Sequence, residues 1–569
     1  MHLFALLLLF CAAVCSSAND ITNAIFGNTS FGSVPAAFGD FNSDKLTDIF
    51  IIRDDARSVS VLLANPNEPI MQMSNLTCRF SKGHITSVVP GDFDGDAMMD
   101  ILVTTFNTNV TSVFILWGSQ NNLQCPEDEE KPVLYTKDQP LVLDYNLDMI
   151  ADLFGVNEEG KRMFWVFGTT RTAPLIIEMN ETKLEERKLR YPHSHAFLDL
   201  DGNFVSDLVL TTNTGYEVWA GQEKGGFKYN STINYPAGVD KESVGQNLFL
   251  DVYLNSHLGL VVPVCFGGVC ENSTIFVHDG VTWKDLRPNF KDPQGNNWGF
   301  VKHVGGKFTD TITIRGGDFN LDGYPDLLVT LQFQKIIRTL ILENVEGANG
   351  RTFAVQWTSL GSSNSTVAGA FFDFYQKGTL DVLLVHRLAN GSTAMKAFKN
   401  GLDYDANFLK VMVLTGLGGP GPLPYGTNLP GPRVSYFTVT QDGSERYGCA
   451  AQLSQSAHFA LQLPYSIFGL GRTPNFVDRM TTGYSNHTRD WLLVIPNSQM
   501  VIVPPLGDSQ HWRMQLFVTP SRTILETMAV LLSTCVLNVL IIGGLHLKEK
   551  REDRLEKLQE AHRFHFDAM

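Results

Sequence analysis

The chain has 569 residues, 18% of them charged, and a formal net charge of −15. That acidic balance reads as metal ligation rather than as a surface that repels nucleic acid, and no nucleic-acid partner is expected. A chain of this length is expected to divide into several parts.

Residues 1–18 carry the apolar core and small-residue exit of a secretory signal, with cleavage expected after Ala18. The stretch is too short for a comfortable membrane span.

From there an apolar strand runs seven times into an aspartate-bearing loop. The loops begin at Asp40, Asp92, Asp144, Asp199, Asp251, Asp318 and Asp373, at intervals of 52, 52, 55, 52, 67 and 55 residues. A period of about 50 residues marks a repeat architecture, because each unit can bury its faces only against its neighbours.

Five loops keep oxygen-bearing side chains at positions 1, 3, 5 and 9. They are Asp40, Asn42, Asp44 and Asp48; Asp92, Asp94, Asp96 and Asp100; Asp144, Asn146, Asp148 and Asp152; Asp199, Asp201, Asn203 and Asp207; and Asp318, Asn320, Asp322 and Asp326. Hard Ca²⁺ takes six to eight oxygens at roughly 2.3–2.6 Å, and a nine-residue loop with alternating carboxylates can supply them. Carboxylates crowded in this way need a compensating cation or a raised pKa. Calcium is therefore expected at about five loops, in a structural role. Two loops have lost the pattern: position 9 is Gly259 in one, and position 5 is Lys377 in the other, where the lysine ammonium is expected to replace the ion.

A β-rich run follows each loop: residues 49–52, 101–103, 153–156, 208–210, 260–262, 327–329 and 382–385. A further apolar strand lies about twenty residues past each first Asp, giving three readable strands per repeat and room for a fourth. The expectation is an all-β fold, a seven-bladed β-propeller. A β-solenoid competes, but its coils are about half this length.

Residues 416–432 are rich in Gly and Pro and read as a linker, so the propeller with its linker is assigned to 19–432. Strands are expected at 434–440, 446–453, 490–495, 499–503 and 512–518. They form either a small membrane-proximal β-domain over 433–520 or an elaboration of the last blade. Residues 523–547 hold a long apolar run, free of charge from Thr527 through Leu545, which is long enough to cross a bilayer. Lys548, Lys550 and Arg551 follow, so the tail, 548–569, is expected in the cytosol and the protein in the plasma membrane as a single-pass type I chain. The tail is expected to be helical to about residue 562, with Phe564 and Phe566 beyond.

Nine N-x-Ser/Thr sequons, at Asn28, Asn75, Asn109, Asn180, Asn230, Asn272, Asn364, Asn390 and Asn486, all fall before the apolar run, on the side expected to be glycosylated. Of eight cysteines, Cys265 and Cys270 read as a hairpin clip and Cys78 as a partner for Cys125 across neighbouring repeats. Cys449 is left over.

The loop written D-F-N-x-D-G-x-x-D between strands resembles the FG-GAP repeat of integrin α propellers. The Gly-Phe-Phe-Lys-Arg juxtamembrane motif and the long leg of an integrin α subunit are absent. The stretch Leu463 to Val477 and the end Glu560 to Met569 resemble the T-cell immunomodulatory protein (Linkin) family. That resemblance implies a cell-surface glycoprotein linked to adhesion, tissue integrity and T-cell modulation, with RuvB-like AAA ATPases and tubulin as intracellular associates. The extracellular ligand, protein or glycan, is not legible. No G-x-S-x-G elbow, H-E-x-x-H pair or Cys/His zinc cluster is present, so an interaction protein rather than an enzyme is expected. The alternative is a carbohydrate-binding or hydrolytic propeller.

Overall fold

The structure is a computed structural model. It describes residues 19–566 apart from 108–109, 120, 130, 180–186, 269, 302–310, 348–349, 362–363, 402–405, 419–425, 441–442, 458–459, 473–475, 507–510 and 519–521. The expected signal, the sequons at Asn109 and Asn180 and part of the linker lie outside the described residues, as do the side chains of the aromatic tail.

Apart from the short helix Thr22–Phe26, the regular elements among the described residues are β-strands up to a C-terminal helix. Each post-loop run forms a strand because its Val, Ile, Leu and Phe side chains are buried on both faces. Asp48–Arg53, Asp100–Asn107, Asp152–Val156, Asp207–Thr211, Gly259–Phe266, Asp326–Phe333 and Asp381–Arg387 are each the second strand of a separate antiparallel sheet of four or five strands. The seven sheets span 33–79, 84–136, 141–178, 196–234, 248–285, 299–356 and 366–399.

The seventh sheet takes its outer strand from the other end of the chain. Asn19–Asp20 pairs with Thr393–Lys399. The Ile21 amide donates to the Ala397 carbonyl at 2.9 Å, and the Met395 amide to Ser30 at 2.8 Å.

Apolar side chains fill the space between consecutive sheets, as hydrophobic faces require. Val89, Leu102 and Leu153 join the second and third; Leu143, Phe154 and Phe197 the third and fourth; Val209, Leu260 and Val262 the fourth and fifth. Val261 and Leu327 join the fifth and sixth, and Leu328, Phe371 and Val382 the sixth and seventh. One cluster holds Phe38 and Ile51 of the first sheet, Val103 of the second, and Phe372 and Leu383 of the seventh.

Two disulfides form at the expected cysteines. Cys78–Cys125 links the first sheet to the second, with Cα atoms 5.5 Å apart, and Cys265–Cys270 closes a hairpin.

Eight more strands form two four-stranded sheets. One orders Ser466–Gly471, Asn407–Val413, Ser498–Val503 and Arg513–Val518; the other orders Glu445–Ala451, Arg433–Val439, Val477–Tyr484 and His487–Val494. They share a core of Leu409, Val411, Tyr436, Met480, Met500 and Ile502. The first strand of this module, Asn407–Val413, precedes the Gly/Pro-rich linker; it runs parallel to Ser498–Val503.

A second compact unit, from Val518 on, consists chiefly of the helix Arg522–Phe566. Its apolar side chains from Met528 to Leu547 are exposed, and it is long and apolar enough to cross a membrane.

Candidate functional site

Each aspartate loop is the turn between the first and second strands of its sheet. Position 9 is the first residue of the second strand and pairs with the residue before the loop, as in Gly39 with Asp48 and Leu143 with Asp152. All seven loops share one backbone path. Position 4 is left-handed throughout, with φ from 51° at Leu254 to 85° at Gly202, and so is position 6, from 59° at Ser256 to 99° at Gly323. Seven loops with mostly non-glycine residues at φ > 0 need something to hold that turn.

The position-1 carboxylate does so by accepting amides from inside the loop. Asp40 accepts from Asp44 and Lys45 at 3.0 and 2.8 Å, and Asp144 from Asp148 and Met149 at 3.2 and 2.8 Å. The two altered loops keep these bonds: Asp251 accepts from Asn255 and Ser256, and Asp373 from Lys377 and Gly378. Position 9 staples the loop to the third strand. Asp48 accepts from Phe41 at 2.8 Å and Ala64 at 2.7 Å; Asp100, Asp152, Asp207 and Asp326 repeat the pattern, which Gly259 cannot.

The predicted ligands converge to different degrees. Carboxylate oxygens of Asp92, Asp94 and Asp100 lie within 4.8 Å of one another, and so do those of Asp199, Asp201 and Asp207. In the other three intact loops the position-3 amide donates to position 5: Asn42 to Asp44, Asn146 to Asp148 and Asn320 to Asp322 at 3.0, 2.8 and 3.1 Å. The second loop also receives Arg171, whose Nε is 2.6 Å from Asp94 and whose Nη2 is 3.6 Å from Asp96.

Burial pushes these acids up, and neighbouring carboxylates add to the shift. Asp40, Asp92, Asp144 and Asp207 rise to about 7, Asp152 and Asp318 to about 8, and Asp48, Asp100 and Asp326 well above the usual carboxylate range.

The C-terminal β-module reaches the first aspartate of five loops. Tyr484 Oη donates to Asp144 at 2.5 Å, and Arg433 Nη1 lies 3.4 Å from Asp199. Cys449 Sγ is 3.7 Å from Asp251, and the Gly469 amide donates to Asp318 at 3.0 Å. Gly469 must be glycine, since a Cβ there would sit 2.1 Å from the Asp318 carboxylate. At the seventh loop Lys410 Nζ lies 3.2 Å from Asp373 and 2.6 Å from Gln376 Oε1, over the Tyr465 ring at 3.8 Å, with both charged side chains 1% exposed.

Lys410, not Lys377, is thus the cation at that loop. Lys377 is exposed and its ammonium lies 5.2 Å from the Tyr375 ring centre.

A cavity of about 150 Å³ lies between the module and the fifth and sixth loops. Its polar lining includes Asp251, Arg315, Asp318, Cys449 and Gln462.

The described sequon asparagines, Asn28, Asn75, Asn230, Asn272, Asn364, Asn390 and Asn486, are all exposed. Cys449 is buried without a disulfide partner.

The FG-GAP-like repeat family matches residues 40–103, and the family described as "ITFG1, C2 domain" matches residues 424–517, most of the C-terminal β-module. These matches make the chain an FG-GAP-repeat protein, and its apolar helix fits a single-pass membrane protein. The chain is 37% identical to the human T-cell immunomodulatory protein, over 97% of this chain and 94% of that one. It is 36% identical to the mouse protein, over 97% and 95%, and 27% identical to the Caenorhabditis elegans protein linkin, over 94% and 95%. The chain belongs to the T-cell immunomodulatory protein family.

Proposed function

We propose that this chain is a type I cell-surface glycoprotein whose seven repeat sheets form a calcium-stabilised, seven-bladed propeller that acts in cell adhesion and tissue integrity and bears on T-cell function. The single observation that carries the reading is the set of buried loops that share one backbone path, five of which keep oxygen-bearing side chains at positions 1, 3, 5 and 9. A purely oxygen donor set on a tight turn suits a hard divalent cation. Asp92, Asp94 and Asp100, and Asp199, Asp201 and Asp207, would hold it most readily; the first, third and sixth loops would do so once their Asn side chains present oxygen instead of nitrogen.

Radial closure is supported by the pairing of Asn19–Asp20 with the seventh sheet and by the apolar cluster that joins that sheet to the first. The exposed sequons support glycosylation, and Lys548, Lys550 and Arg551 beyond the apolar run support a cytosolic tail. By family, RuvB-like ATPases and tubulin are the associates expected of that tail. A propeller held at every blade offers a partner a preorganised surface at lower entropic cost.

The functional part is tested by expressing the full chain on cells that lack it. Calcium-dependent cohesion that disappears on combined Asp92→Ala and Asp199→Ala substitution is expected. Cohesion indifferent to chain and calcium, together with glycan binding or turnover of hydrolase substrates, would replace this reading with the carbohydrate-directed one.

A further inference from the structure

Between the module strands Glu445–Ala451 and Ser466–Gly471 the chain reaches out to three of the strands that precede aspartate loops. The Phe38 amide donates to Gln455 Oε1 at 2.8 Å, and Gln455 Nε2 donates back to the Phe38 carbonyl. The Val142 amide donates to Ser456 Oγ at 3.0 Å, and Arg315 Nε donates to the Ala460 carbonyl at 3.2 Å. Phe38 lies in Ser33–Gly39 of the first sheet, Val142 in Leu141–Leu143 of the third and Arg315 in Ile314–Gly317 of the sixth. Each of these strands pairs on one side only, so its outward amides and carbonyls have no partner in their own sheet. Phe38, Val142, Gln455, Ser456 and Arg315 are all buried, and buried backbone groups require a partner.

The three sheets are not consecutive. Gln455 and Ala460 are five residues apart, at most about 18 Å of extended chain. Sheets stacked in a row stand about 10 Å apart, which would put the first and the sixth about 50 Å from each other. Even with the reach of the Gln455 and Arg315 side chains, one such segment meets both only if their edge strands face a common axis. Leu461 continues the segment at a φ of 49°, unfavourable for leucine, and its side chain is buried in the cluster that joins the first, second and seventh sheets.

We propose that residues 455–461 are an axial tie by which the C-terminal module locks the repeat sheets against opening between the seventh and the first. At that junction the outer strand Asn19–Asp20 is only two residues long, and a sheet end held by few hydrogen bonds has low local stability. Opening there carries the first sheet away from the sixth. A tie bonded to both must break at one end, so the ring opens only as the module lifts out.

The proposal rests on the radial-closure reading, and its test separates the two. Amide hydrogen exchange is followed on the full-length chain in detergent micelles, with and without combined Gln455→Ala and Ser456→Ala substitution. Exchange about tenfold faster is expected at the junction, in 19–26 and 393–399, and at 314–317, together with 33–39 and 141–143. Tyr484→Phe, which leaves the tie intact, should not move the junction. A rise confined to 33–39 and 141–143 overturns the tie alone. A natural chain whose Ile21 and Met395 amides already exchange like unpaired backbone removes the closure and the tie together. If the double variant does not fold, Ser456→Ala alone is read in the same way, with a rise of about threefold at the junction expected and an unmoved junction overturning the tie.

Discussion

The third and seventh loops meet the same difficulty with different chemistry. Both place a first aspartate under the C-terminal module, almost fully buried. Over Asp144 the module brings only a hydroxyl, from Tyr484, and the loop keeps Asp148 and Asp152 as further oxygen donors. Over Asp373 it brings a full positive charge, from Lys410, and there positions 3 and 5 have become Tyr375 and Lys377. At the seventh loop a buried lysine stands against the first aspartate of a turn that lacks the oxygen pattern; at the third, which keeps the pattern, no cationic side chain of the module does so among the described residues. The fifth loop is the intermediate case, with a thiol over Asp251 and glycine at position 9.

The sharpest way to break this contrast is to remove the internal cation. Lys410→Ala leaves Asp373 buried and unpaired, and a loss of about 3–5 kcal/mol is expected. Denaturant unfolding should give the same loss with and without chelator, while adding Asp373→Asn should recover most of it. A loss that calcium reverses would place metal at the seventh loop as well.

Chelation comes next. Calcium at a hundred times its dissociation constant stabilises by about 2.7 kcal/mol per site, so removing it should lower the melting temperature, and Asp96→Ala should remove part of that dependence. The effect should grow with pH. Asp40, Asp92, Asp144 and Asp207 titrate at about 7 in the metal-free fold, and Asp152 and Asp318 at about 8. These values lie above the unfolded range near 4. The metal-free fold therefore binds more protons than the unfolded chain, and it loses stability as pH rises from about 4 to about 8. Calcium opposes that loss, so the melting shift on chelation should be larger at pH 8 than at pH 5.5. Equal shifts at the two values would mean that the loop acids are not what the metal compensates.

The smallest change expected is Tyr484→Phe, which removes one donor to Asp144 and should cost about 1–2 kcal/mol. Amide exchange should rise across the module strand Val477–Tyr484 and the third loop together, and a local change confined to one of them would mean that the contact does not couple the two.

The repeats were legible because their information is local. The loop pattern, its period and the apolar runs after it lie within a few tens of residues, and the Cys265–Cys270 clip is read from its own short spacing. The seat of the C-terminal module was not. Lys410 reaches Asp373 across 37 residues, Arg433 reaches Asp199 across 234, and Tyr484 reaches Asp144 across 340. No periodicity links such positions. Asn407–Val413 carries a charged residue in mid-strand, and that lysine has a reason to be there only once Asp373 is known to lie opposite. The stretch from Leu463 to Val477, distinctive but mute as sequence, supplies Tyr465 beneath Lys410 and Gly469 against Asp318.

The central claim is that the intact loops are held by calcium and the seventh by lysine. Anomalous scattering from crystals of the protein grown with a calcium-mimicking lanthanide tests it directly. The account predicts peaks at the loops beginning with Asp40, Asp92, Asp144, Asp199 and Asp318 and none at Asp251 or Asp373; intact loops without peaks, or a peak beside Lys410, would contradict it.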